Sequence, residues 1–113
     1  MIDLVKSVDS VHPVTIGWSN TQSAKILKDK VDIVSFHFYE KLETLEESIK
    51  TLKTEVGDKP LVLQEFGLSS YRGFWNPFGN SEKDQADYYK KVQDIIATNN
   101  LQFMSWTLYD FEQ

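Results

Sequence analysis

Short apolar runs alternate along the chain with longer stretches whose apolar positions recur every three or four residues, the two periods that separate strands from helices. Residues 14–19 (VTIGWS), 31–39 (VDIVSFHFY), 61–66 (LVLQEF) and 101–109 (LQFMSWTLY) are rich in branched and aromatic side chains and predict four strands. Between the first two, residues 21–30 predict a short helix. Leu42, Leu45, Ile49, Leu52 and Val56 step by 3, 4, 3 and 4, so they form one stripe along a second helix. Thr44 with Glu47 predicts a capping box at its start, and Gly57 a left-handed cap at its end. Ser81 with Asp84 opens a third helix expected to turn Ala86, Tyr89, Val92 and Ile96 inward. Residues 1–10 match the tail of a further helix, with Ile2, Val5 and Val8 or Asp9 on its inner side, and residues 68–80 read as irregular.

Strands that alternate with helices of this length pair in parallel through right-handed crossovers. The strand starts, near residues 14, 31, 61 and 102, step at close to the ~31 residues per unit of an eight-stranded (βα) barrel. The expected fold class is therefore α/β, a partial TIM (β/α)8 barrel of four parallel strands with three intervening helices. Four strands cannot close a barrel, and a parallel sheet normally has both faces covered. Residues 1–113 are thus expected to form one half of a barrel domain, its C-terminal half, with the other strands preceding Met1.

Composition narrows the partners. Hydrophobic residues make up 41% of the chain, enough for a buried core. The net charge of -5, with no cluster of Lys or Arg, disfavours nucleic acid and anionic membranes. No apolar run approaches the ~20 residues that cross a bilayer. The absence of cysteine removes thiolate chemistry and cysteine metal sites, and two histidines make a histidine-rich metal site improbable. No cofactor is expected.

In parallel α/β proteins, ligands gather at the C-terminal ends of the strands. There the second strand offers His37 and Tyr39, the third Glu65, and the fourth Trp106 followed by Asp110. Alternation allows His37, Tyr39, Glu65 and Trp106 to share the inner face, with Phe36 and Phe38 turned to the helices; it groups Leu61 and Leu63 with Glu65 and sends Gln64 to the helix side without a partner. A carboxylate, a phenol, an imidazole and an indole on one surface suit a sugar, whose faces stack on rings and whose hydroxyls need hydrogen bonds. Tyr39 is placed to donate to Glu65, which favours the carboxylate form.

His12-Pro-Val-Thr-Ile-Gly17, His37-Phe-Tyr39, Lys59-Pro-Leu-Val-Leu-Gln-Glu-Phe-Gly67 and Ser105-Trp106, in this order and at barrel spacing, resemble strands five to eight of a retaining glycoside hydrolase of clan A, closest to the family 5 cellulase and mannanase group. The resemblance implies a β-linked glycan substrate, Glu65 as nucleophile, His37 and Tyr39 lining the site, and Trp106 beneath the sugar. It also implies an acid/base glutamate after an asparagine on strand four. No Asn-Glu pair occurs in this chain, so the partner carboxyl group is expected outside it and the isolated chain is expected to be inactive.

Blander roles stand beside these. Glu65 alone would read as an ion-paired strand-end glutamate, His37 as a satisfied core histidine, and Trp18 and Trp106 as core aromatics. Residues 71–79 (YRGFWNPFG) are either a wall of the sugar cleft or a long loop packed on its own scaffold. Glu40, Asp110 and Glu112 read as solvated carboxylates. Two alternatives to the enzyme segment remain: a carbohydrate-binding or self-associating half barrel that pairs with another copy or its missing half, and a complete flavodoxin-like domain, which the lack of a Gly-rich phosphate loop disfavours.

Overall fold

The computed structural model describes residues 1–107. In chain order these form α1 (Ile2–Val8), β1 (Gly17–Trp18), α2 (Thr21–Ala24), β2 (Val34–Phe38), a 3-10 turn (Leu42–Thr44), α3 (Leu45–Val56), β3 (Leu61–Phe66), α4 (Glu82–Asn99) and β4 (Gln102–Phe103). The four strands make one parallel sheet in the order β1-β2-β3-β4, each joined to the next by a helical segment. This is the expected partial α/β barrel, with α2, α3 and α4 as the three intervening helices.

One face of the sheet and the helices enclose the core. Val34, Phe36 and Phe38 of β2 and Leu61, Leu63 and Phe66 of β3 are buried together with Leu45, Ile49, Leu52 and Val56 of α3 and Tyr88, Val92 and Ile96 of α4. The α3 stripe is thus the one its spacing predicts, with Leu42 partly buried in the turn before it. Trp18 pairs with Phe36 in register and packs against the core. The Lys59 ammonium ties the start of β3 to the preceding unit, donating to the carbonyls of Lys28 and Val31 at 2.5 and 2.7 Å.

Several expectations need correction. The first strand is only two residues long, and α2 spans Thr21–Ala24 before turns replace it, because Ala24 is the one side chain of that helix that reaches the core. Thr44 does not cap α3; its hydroxyl donates back to the Lys41 carbonyl at 2.8 Å, since the 3-10 turn gives Thr44 helical backbone angles. Gly57 has the positive φ foreseen, 66°, but with ψ at -134° rather than in the left-handed helical well. In α4 the capping box between Ser81 and Asp84 is present, while Tyr88 rather than Ala86 faces inward. Ala86 precedes Val92 by six residues and so stands about 120° around the helix from it. Of the inner positions expected for α1, Ile2 is buried while Val5 and Val8 are exposed. The Lys6–Asp32 and Lys30–Asp3 ion pairs, 2.7 and 2.8 Å, hold that helix to the turn before β2. The expected fourth strand runs past the described residues; within them β4 is Gln102–Phe103, and its pairing to β3 continues as Met104 N–H donates to Leu63 and Trp106 N–H to Phe66, both at 2.9 Å.

Candidate active site

The pairing of β2 with β3 slips between Phe36 and His37. Phe36 pairs with Leu63, but His37 pairs with Glu65 and Phe38 with Phe66. Gln64 is the extra residue of a β-bulge, and two residues of β3 stand against one interval of β2. Strict alternation fails at this point. Leu61 and Leu63 lie on the helix side with Phe36, contrary to their expected grouping with Glu65, and the bulge then lets both Gln64 and Glu65 reach the face that His37 occupies. Gln64, expected on the helix side, instead sits over Gly17: a Cβ added to Gly17 would overlap Gln64 Oε1 and stand 3.0 Å from His37 Nε2. Glycine is needed at that point of β1 because two side chains from neighbouring strands fill its place.

Glu65 is flanked by two side chains from the end of β2. Tyr39 Oη donates to Glu65 Oε1 at 2.5 Å, and His37 Nδ1 stands 3.4 Å from Glu65 Oε2. Each carboxylate oxygen therefore has its own neighbour. The Tyr39 phenol is held above its ordinary range, first by loss of solvent around it, then by the hydrogen bond to Glu65 and that group's negative charge. Tyr39 is still 54% exposed, so the contact with Glu65 is the cause that carries more weight. Deeper on the same face of β2, Ser35 is buried and satisfied by Thr15, hydroxyl to hydroxyl at 2.5 Å.

Trp106 reaches the site through its backbone. Its N–H pairs with the Phe66 carbonyl, next to Glu65, and its own carbonyl accepts from Tyr89 Oη at 3.1 Å. Trp106 is 56% exposed and is not part of the buried core. Gly67 makes that approach possible, for a Cβ there would collide with the Trp106 carbonyl oxygen. Glu40 is exposed and has no ion pair among the described residues, while Asp110 and Glu112 lie outside them.

After Gly67 the chain enters the aromatic loop. Asn76 Nδ2 donates to the Tyr71 carbonyl at 2.8 Å, Asn80 Nδ2 to that of Ser69 at 3.2 Å, and Gly73 and Asn76 form a short bridge. These polar contacts brace the loop, and its rings do not pack on that scaffold: Phe74, Trp75 and Phe78 are 91, 86 and 99% exposed. A hollow in the surface lies elsewhere, lined by Lys6, Asp9, His12, Pro13 and Asp32 ahead of β2, and Glu65, His37, Tyr39 and Trp106 do not line it. The carboxylate of Glu65, its donor Tyr39 and the neighbouring His37 stand together at the strand ends, which makes that cluster the candidate site. No group of three or more metal-ligating side chains converges among the described residues.

Sequence reasoning found Glu65, His37 and Tyr39, which the structure brings together, and Trp106, which it places beside them through the backbone. It missed Gln64, although a glycine inside a strand, Gly17, was a readable sign of close approach by another group.

A parallel βα sheet that presents a carboxylate, a phenol and an imidazole at its strand ends defines the chain as an enzyme-like α/β barrel segment. The family model of the glycosyl hydrolase catalytic core matches residues 6–110, and the chain belongs to that family. A sequence comparison with curated proteins gave no match. Among solved structures, the chain resembles an active-site mutant of Rhizomucor miehei β-1,3-glucanosyltransferase in complex with laminaritriose, with 14% identity, a TM-score of 0.72, and 97% of this chain and 46% of that one covered. It also resembles a calcium-binding mutant of Bacteroides uniformis β-glucuronidase 2, with 19% identity, a TM-score of 0.77, and 98% and 15% covered. At these identities the likeness is one of fold. The chain spans about half the length of the first relative and a smaller part of the second.

Proposed function

We propose that this chain supplies the nucleophile-bearing part of the barrel of a retaining β-glycosidase, similar to the cellulase and mannanase group, with Glu65 as nucleophile. The observation that carries this reading is the strand-end carboxylate with Tyr39 Oη at 2.5 Å on one oxygen and His37 Nδ1 at 3.4 Å from the other, in a chain of the glycosyl hydrolase catalytic core family.

In the first step an oxygen of Glu65 bonds to the anomeric carbon as the glycosidic C–O bond breaks, and the leaving oxygen takes a proton from a second carboxyl group about 5–5.5 Å away. In the second step water attacks the anomeric carbon, the bond to Glu65 breaks, and the proton of the water passes to the second group. His37 and Tyr39 hold Glu65, and Trp106 offers a face to the sugar ring. No Asn-Glu pair lies in residues 1–113, so the acid/base group is proposed to come from outside these residues, and residues 1–113 alone are not expected to cleave glycosides.

The test is Glu65→Gln in a protein that carries the complete barrel, assayed on β-1,4-glucan, β-mannan and β-1,3-glucan. Turnover is expected to fall by roughly 10³-fold or more with the thermal transition unchanged. Near-normal turnover would remove Glu65 from the mechanism. A second reading, a glycan-binding surface without catalysis, is favoured by the exposed rings of Phe74, Trp75 and Phe78. It predicts that glycans bind the complete barrel but that no substrate is cut, even before substitution.

A further inference from the structure

The proposed chemistry does not account for Gln64. Alternation from Leu63 puts it on the inner face beside Glu65, where its Oε1 is buried without a hydrogen-bond partner, the one such side-chain atom among the described residues. An unpaired buried amide oxygen is costly, and its position needs a reason. Gln64 Oε1 and His37 Nε2 close on the same small space, the one that Gly17 leaves open. On the opposite side of the imidazole, Nδ1 faces Glu65 Oε2 at 3.4 Å.

Half a turn of the Gln64 amide about its last side-chain bond exchanges oxygen and nitrogen, atoms of nearly equal size. A donor then stands where the unpaired acceptor stood, at the same opening over Gly17 that His37 Nε2 borders. We propose that Gln64 is a positioning residue: its amide N–H donates to His37 Nε2 and so holds the ring as the tautomer that carries its proton on Nδ1, facing Glu65.

The consequence is a complete set of donors around the carboxylate. Tyr39 Oη serves Oε1, and the proton on His37 Nδ1 lies on the side of Oε2, 3.4 Å from the nitrogen. The other neutral tautomer leaves Gln64 Oε1 without a partner where it stands and sets the Nδ1 lone pair toward a carboxylate oxygen. Which nitrogen of a histidine carries the proton is governed by the partner of the other nitrogen, and here that partner is the bulge residue. Glu65 would then be held by three side chains, one of them acting through another.

This inference rests on the nucleophile reading for its importance to catalysis, but its test does not need turnover. In the ¹⁵N-labelled chain, long-range ¹H–¹⁵N correlation of the imidazoles at about pH 8.5, above the ordinary histidine range, distinguishes the two tautomers; a His12→Gln variant assigns His37. The expected spectrum shows His37 protonated at Nδ1 and bare at Nε2. In Gln64→Leu, which keeps bulk and removes the donor, the fraction of rings protonated at Nε2 is expected to rise against the opposing pull of Glu65, and in Gln64→Glu, which offers only an acceptor, Nε2 is expected to be protonated. The second variant supplies the readout if the first does not fold. A wild-type ring protonated at Nε2, alone or together with Nδ1, overturns the proposal, and so does an unchanged ring in either folded variant. Failure of the Glu65→Gln assay would leave this result standing, so the two ideas fail separately.

Discussion

Tyr39 Oη donates to Glu65 Oε1 at 2.5 Å, a contact between the residue just after β2 and the end of β3 that closes across the bulge. Hydrogen bonds to charged groups contribute about 1.5–3 kcal/mol. Tyr39→Phe keeps the ring and removes the donor. In the complete barrel, kcat on a glycoside substrate is expected to fall by roughly 10- to 100-fold, with a small change in stability because Tyr39 is half exposed. Retention of turnover within a factor of about two would show that the bond orients nothing the reaction uses.

Gly67 owes its identity to the Trp106 carbonyl, which occupies the space a side chain would need. That obstacle is backbone, fixed by the Trp106 N–H on Phe66 and by Tyr89 on the carbonyl itself. Gly67→Ala is expected to cost about 1–3 kcal/mol, read from the urea midpoint. It should also loosen β4 from β3, seen as faster amide exchange at Trp106 than in wild type. An unchanged midpoint together with unchanged exchange would contradict this account.

Much of the architecture was legible because burial imposes a period. The α3 stripe from Leu42 to Val56 and the bounds of β3 follow from spacing alone, and the core they form is the one expected. The bulge was not legible. Nothing in Leu61-Val-Leu-Gln-Glu-Phe66 marks an additional residue, since a bulge is a property of the pairing between two strands and Gln64 is compatible with either face. That one residue reversed the faces assigned to Leu61, Leu63 and Gln64, while Glu65 kept its face because the slip falls before it. The cluster around Glu65 was readable through residue type at strand ends, but Gln64 carries no chemical signature of its own. Its role depends on where Gly17 and His37 stand.

The two helix starts offered similar sequence signals and differ in structure, which yields a paired test. Ser81 accepts from Asp84 N–H at 3.2 Å, and the Asp84 carboxylate accepts from Ser81 N–H at 2.8 Å, whereas Thr44 makes no cap hydrogen bond to α3. The Asp84 carboxyl is accordingly held below its ordinary range, first by the Ser81 hydroxyl and then by its backbone N–H. Ser81→Ala is expected to lower stability by about 1 kcal/mol and Thr44→Ala by no more than a few tenths. Equal losses in denaturant titrations of the two variants would mean that the geometry at these helix starts does not set their strength.

The exposed rings of the aromatic loop separate stability from binding. Phe36 has no exposed surface and sits at the centre of the sheet, so Phe36→Ala is expected to cost about 3–5 kcal/mol. Phe78 is almost wholly exposed, and Phe78→Ala or Trp75→Ala should stay within about 0.5 kcal/mol of wild type. If the loop walls the glycan cleft, the same loop variants weaken oligosaccharide binding several-fold in calorimetry. A loss of stability comparable to that of the core variant would instead show that these rings pack on protein.

Alkaline pH probes the tyrosines that line the end of the sheet. Burial, and then the nearby Tyr89, push the Tyr88 phenol up to about 12, burial raises Tyr89, and Tyr39 is raised as well. In the unfolded chain these groups ionise near their ordinary value of about 10. As pH rises through that value the unfolded chain releases protons that the folded chain still holds, so the unfolded state binds fewer protons and stability falls with pH. The stabilisation is complete below about pH 10 and is lost progressively up to about pH 12, with Tyr88 alone contributing on the order of 2 kcal/mol. Urea midpoints taken at half-unit steps across that window should decline, and Tyr88→Phe should flatten the decline. A midpoint that stays level through the window, while phenolate absorbance shows the unfolded chain ionising normally, would sink this linkage.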